Sequence, residues 1–135
     1  MDIVSLLRDS GLRATKSRIA VLSFLEQQRV PISISEIAEK LGAVVDPVTV
    51  YRIIDAAKGA GIVKEVNLGT GSISYELAPD GHGHHHVVCT SCHKIADVSS
   101  CHEELLSRDA LKEARGFASI TGHSLEFFGL CKSCS

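Results

Sequence analysis

Along the first sixty residues, apolar positions recur at helical spacing in four segments, each bracketed by a residue that starts or stops a helix. "DIVSLLRDSG" opens on Asp2, a capping side chain, and ends at Gly11. Thr15 can cap "KSRIAVLSFLEQQ", in which Ile19, Leu22 and Leu25 share one face. "SISEIAEKLG" carries Ser33 and Glu36 at capping-box spacing and stops at Gly42. A fourth helix follows Asp46, with Pro47 in the favoured first turn and Val50, Ile53, Ile54 and Ala57 as its core stripe. The period then changes. "IVKEVNL" and "SISYEL" read as two strands joined by Gly69-Thr70-Gly71, a hairpin.

Helices joined by a tight turn and followed by a hairpin make a helix-turn-helix with a wing. With its apolar stripe facing inward, the fourth helix presents Val48, Arg52 and Asp55 outward, with Tyr51 and Lys58 on the flank. Arg can read guanine or hold a phosphate and Tyr can reach a phosphate, so this face suits a recognition helix. A solvated polar face is the plainer alternative.

"APDGHG" breaks the pattern. Beyond it, "HHHVVC" and "HKIADVS" read as strands, "CHEELLSRDALKEARG" as a helix ended by Gly116, and "FASITGHSLEFFGLC" as a strand region. The expected class is therefore α+β: a winged helix-turn-helix domain over 1–78, a hinge over 79–83, and a small α/β domain over 84–135.

Composition narrows the function. Apolar residues make up 44% and charged residues 22%, which suits a globular chain and not a disordered one. No apolar run reaches membrane-spanning length, and "MDIVSLLRDSG" lacks the basic start and apolar core of a signal peptide. A cytoplasmic protein with no membrane partner is expected. The formal charge of −2 does not by itself suggest a nucleic-acid partner. Its distribution is more permissive: Arg8, Arg13, Lys16 and Arg18 lie close together in the first half.

Cys89-x-x-Cys92 is matched by Cys131-x-x-Cys134, and Cys101 stands outside both pairs. In a reducing compartment paired CxxC motifs point to metal before disulfides. Four thiolates form a closed tetrahedral set for structural zinc, with no open position for a reacting water. The histidine run "HHH" at 84–86 would alternate faces on a strand. His84 and His86 would point one way, with Glu76 and Asp97 as carboxylate partners. His85 would point the other way, toward His123 and Glu104. Such nitrogen and oxygen donors suit Fe(II), Mn(II) or Zn(II). For His82, His93 and His102 a surface role is the expectation.

Four stretches in this order resemble the ferric uptake regulator family of metal-dependent repressors: "GLRATKSRIAVLSFL", "VTVYRIIDAAKGAGIV", "HHHVVCTSCHKIADV" and "GHSLEFFGLCKSC". The resemblance covers nearly the whole chain. It implies a homodimer whose C-terminal domains pair, with winged-helix domains binding a double-stranded DNA operator when metal occupies a site near the hinge. It implies structural zinc on Cys89, Cys92, Cys131 and Cys134, and a regulatory Fe(II), Zn(II) or Mn(II) on Glu76, His84, His86 and Asp97. His85, Glu104 and His123 match three of the four ligands of a second metal site. The candidate DNA contacts are Arg13, Lys16, Arg18, Thr49, Tyr51, Arg52 and Lys64.

The chain departs from the family pattern in three places. Pro31 stands where a regulatory-site histidine usually precedes the third helix, and Gly83 where the second site often has one. The loop from Glu76 to His84 is one residue longer. Glu76 is not the cysteine that the family's zinc sensors often use, which favours iron; Asp97 resembles the peroxide-sensing branch, and zinc stays open. The resemblance implies no catalytic residue and no small-molecule substrate. A zinc hydrolase built on the histidines is the reading from another class: Glu104 could act as base, but the chain has no HExxH and the helix-turn-helix would go unexplained. A metal-buffering protein would have no use for the Tyr51-Arg52 face.

Overall fold

Why the first four helices begin where they do is visible in their caps. In the computed structural model, which describes residues 2–78, 85–99 and 101–135, α1 (Ile3–Asp9) is capped by Asp2, whose carboxylate accepts the Val4 N–H at 3.1 Å. α2 (Lys16–Gln27) is capped by Thr15, which accepts from Arg18 N–H at 3.2 Å. Ser33 accepts from Glu36 N–H at 3.2 Å and starts α3 (Ile34–Leu41). Asp46 accepts from Thr49 N–H at 3.2 Å and starts α4 (Pro47–Gly59). Each cap satisfies an N–H that the helix leaves without a partner.

A three-stranded antiparallel sheet completes this first unit. β2 (Val63–Asn67) and β3 (Ile73–Leu77) form the hairpin, in the register Lys64 opposite Glu76 and Val66 opposite Ser74. The turn between them carries Gly69 and Gly71 at φ 74° and 89°, a backbone region that favours glycine. A two-residue strand, β1 (Ile32–Ser33), adds to the other edge of β3, giving the order β1-β3-β2. Leu7, Val21, Leu22, Ile37, Val50, Ile54, Ala57 and Val66 fill the core. All four stripe residues of α4 are buried, so the helix's outer face is fixed by packing.

The second unit, His84–Ser135, is a smaller sheet in the order β5-β4-β6 with one helix. β4 (His85–Cys89) runs antiparallel to β5 (Ile95–Val98) and parallel to β6 (Glu126–Gly129). The helix α5 (Glu103–Glu113) begins two residues later than its sequence pattern suggests: His102 occupies the cap position without a side-chain cap bond. The strand region expected over 117–131 contracts to β6, where the ladder to β4 ends. No residue of α5 is buried, and Leu105, Leu106, Phe127, Phe128 and Leu130 are all exposed. Among the described residues, no helix is long and apolar enough to cross a membrane.

Candidate metal centres and nucleic-acid face

The two CxxC pairs meet. Cys89 ends β4 and Cys92 lies in the turn after it, while Cys131 and Cys134 follow β6, the strand beside β4. Each pair spans a tight turn: Cys89 C=O accepts from His93 N–H at 2.9 Å, and Cys131 C=O accepts from Cys134 N–H at 3.0 Å. His93 takes φ 65° to close the first turn and is exposed. The four sulfurs lie within 4.8 Å of one another, with Cys92 and Cys131 at 3.7 Å.

Their electrostatics show why a cation belongs there. N–H groups of Cys92 and Cys131 point at the Cys89 sulfur, each at 3.5 Å, and hold that thiol down at about 5. The side-chain hydrogen bond from Cys134 lowers Cys131. Cys134 is lowered by Ser91, but Cys131, Cys92 and Cys89 outweigh that and push it up to about 11. A packed set of thiols resists its last ionisation until a divalent ion compensates the charge. Four sulfurs in this arrangement fit zinc.

The histidine run is split between two faces of β4. His86, almost fully buried, sits directly opposite Asp97 on β5, its Nε2 3.6 Å from a carboxylate oxygen; Asp97 is half exposed. His84 lies outside the described residues, as does His82. Glu76 stands near the end of β3 in the first unit, in register with Lys64. Pro31 is buried just before β1 and offers no ligand atom.

His85, also almost fully buried, meets His123 and Cys101. His85 Nε2 is 3.1 Å from His123 Nε2 and 3.1 Å from Cys101 Sγ, and Cys101 Sγ is 3.5 Å from His123 Nε2. Cys101 escaped the sequence reading because nothing in its spacing ties it to histidines 16 and 22 residues away. Glu104 is exposed on the first turn of α5, and the described metal-capable group contains Cys101 in its place. The carboxylate nearer to His123 is Glu103, with Oε1 3.8 Å from Nδ1.

On the first unit, Arg13, Arg18, Thr49 and Arg52 line one open depression of about 420 Å³, together with Thr15, Ser17 and Ile53. Arg18 Nη1 donates to Arg13 C=O at 3.1 Å, which fixes one wall. The Thr49 hydroxyl is bonded to Asp46, so this residue serves the cap as well as the depression. Tyr51 and Val48, both exposed, line a neighbouring apolar groove with Ile34, Ala38 and Pro47. Lys16 is exposed at the start of α2, and Lys64 is half-buried on β2. The depression gathers cations from the turn before α2, from α2 and from α4, with the Tyr51 ring beside it on α4, a form that can hold phosphates and reach base edges.

The comparisons with known proteins decide what this combination is. The family model described as "Ferric uptake regulator family" matches residues 9–128. The chain belongs to the ferric uptake regulator family. It is 32% identical to the peroxide-responsive repressor PerR of Staphylococcus saprophyticus, over 98% of this chain and 89% of that protein. Among solved structures, the Vibrio cholerae ferric uptake regulator is 31% identical, with a TM-score of 0.67 over 96% of this chain and 100% of that one. The iron-bound ferric uptake regulator of Francisella tularensis is 30% identical, with a TM-score of 0.68 over 92% and 95%. The fold is a winged helix-turn-helix followed by a small α/β domain with a four-cysteine cluster, and the protein is a metal-responsive, DNA-binding transcriptional repressor.

Proposed function

We propose that the chain acts in the cytoplasm as a homodimeric repressor whose affinity for an operator is set by Fe(II) bound to Glu76, His84, His86 and Asp97, and that it has no enzymatic activity. The observation that carries the metal assignment is the buried imidazole of His86 facing the Asp97 carboxylate at 3.6 Å. Nitrogen and carboxylate donors without sulfur suit Fe(II) or Mn(II) as well as Zn(II). Structural zinc is assigned to Cys89, Cys92, Cys131 and Cys134, where it staples the tail to β4. Leu105, Leu106, Phe127 and Phe128, exposed in a unit of barely fifty residues, support pairing of the C-terminal units. Arg13, Lys16, Arg18, Thr49, Tyr51, Arg52 and Lys64 are assigned to DNA.

A peroxide-sensing variant of the same function is favoured by the similarity to PerR and by aspartate, not glutamate, at position 97. In that variant peroxide is the two-electron oxidant: one oxygen would replace a ring hydrogen of His84 or His86, the other would leave as water, and Fe(II) held by these residues would supply the activation of the peroxide. One experiment separates the readings. Protein prepared anaerobically with zinc in the clamp is loaded with Fe(II), Mn(II) or Zn(II), and binding to a duplex selected from a random library is measured before and after dilute peroxide. Iron-dependent binding that peroxide abolishes, with one added oxygen on His84 or His86 by mass spectrometry, gives the peroxide sensor. Iron-dependent binding that survives peroxide gives the iron regulator. Binding that responds to Zn(II) and not to Fe(II) contradicts both.

A further inference from the structure

Cys101 belongs to neither CxxC pair, and the repressor reading does not use it. Its sulfur nevertheless sits in a closed triangle with two imidazole nitrogens, at 3.1, 3.1 and 3.5 Å. A tetrahedral zinc ion, with bonds of about 2.0–2.1 Å to nitrogen and about 2.3 Å to sulfur, spaces its ligand atoms roughly 3.3–3.6 Å apart. The triangle is one face of such a tetrahedron, contracted by a few tenths of an ångström.

The orientation of the rings supports a metal over a chance contact. His85 Nδ1 lies 3.0 Å from the Leu125 carbonyl oxygen. A carbonyl can only accept, so Nδ1 carries the hydrogen and Nε2 turns its lone pair toward Cys101 and His123. His123 directs Nδ1 toward Glu103 and Nε2 toward the cluster. An imidazole held from behind by a carbonyl, as His85 is by Leu125, is what a metal site requires of its outer partners.

We infer that His85, Cys101 and His123 form a second metal site in which Cys101, not Glu104, supplies the anionic ligand, and that its ion is zinc. As the ion binds, the Cys101 sulfur–hydrogen bond breaks, the proton goes to solvent, and the sulfur electron pair forms the bond to zinc. A thiolate beside two imidazoles selects a thiophilic ion over Mn(II), which prefers oxygen, and zinc stands above Fe(II) in affinity for such a set. The inference deepens the metal-responsive reading without depending on which metal governs the operator.

The test reads the metal–sulfur bond and no DNA, so its failure is separate from failure of the repressor reading. Protein with zinc retained in the four-cysteine clamp is titrated anaerobically with Co(II), and the thiolate-to-cobalt charge-transfer absorption is recorded. The wild type should develop the band with one added equivalent, and zinc should bleach it. Cys101→Ala should lose the band. Glu104→Ala should keep it with an unchanged midpoint. Retained clamp zinc and an unaltered circular dichroism spectrum establish that each variant is folded; Cys101→Ser, which cannot give a thiolate band, replaces the alanine variant if that one does not fold. A wild type without the band, or a Glu104→Ala protein that loses it, overturns the inference.

Discussion

Cys89 and Cys134 show how far one residue type can be tuned by its neighbours. Two backbone N–H groups stabilise the Cys89 thiolate down to about 5, while crowding by three other sulfurs holds Cys134 protonated to about 11. At pH 7 the metal-free cluster therefore carries a thiolate at Cys89 and a thiol at Cys134. Zinc must displace the Cys134 proton but none from Cys89. Binding should release at least one proton and fewer than four, and affinity should fall as pH drops, since protons compete for the same sulfurs. Calorimetry of zinc binding at pH 7, in buffers of different ionisation enthalpy, counts those protons. Release of all four would mean that Cys89 is not preorganised as a thiolate.

The same scale shows what a sequence can and cannot carry. Paired CxxC spacing announces a zinc clamp because both halves are local. Cys101 could not be read in this way, because its partners come from β4 and from the segment before β6, and only the fold brings them together. His86 and Asp97 were legible as candidates through strand alternation, and their register supplies the direct opposition.

At the scale of elements, α4 was the most legible. Asp46, Pro47 and the stripe of Val50, Ile53, Ile54 and Ala57 fix its start and its orientation, which leaves Arg52, Tyr51 and Val48 outward. β1 was not legible, since two residues ahead of a capping box carry no period of their own. The start of α5 was misplaced because Cys101 and His102 continue a helix-compatible composition without supplying a cap. If α4 reads DNA, Arg52→Ala should weaken operator binding while leaving the fold intact, because the side chain is exposed. Loss of a phosphate contact flattens the plot of log K against log salt by about 0.9 per contact, doubled in a symmetric dimer. Loss of a base contact instead costs about 1–3 kcal/mol at one position of the site and leaves the slope alone. Fluorescence anisotropy across a salt series distinguishes these, and an Arg52→Ala protein with wild-type affinity would refute the recognition helix.

The whole molecule has to couple metal to DNA, and the composition of the proposed regulatory set bears on how. A ligand shifts a conformational equilibrium only through different affinity for the two states. Of the four proposed ligands, Glu76 lies in the DNA-binding unit and His84, His86 and Asp97 belong to the other, while Pro31 cannot ligate. An ion held by those three alone would gain nothing from one arrangement of the units over another. On the proposed ligand set, Glu76 is the residue through which metal acts on DNA affinity, whichever ion is physiological. The direct test is operator anisotropy during metal titration, with metal content measured in parallel, for the wild type, Glu76→Ala and His84→Ala. Glu76→Ala should keep much of its metal and lose the metal-dependent gain in DNA affinity, and His84→Ala should lose both. A Glu76→Ala protein that binds the operator in response to metal as the wild type does would contradict this coupling.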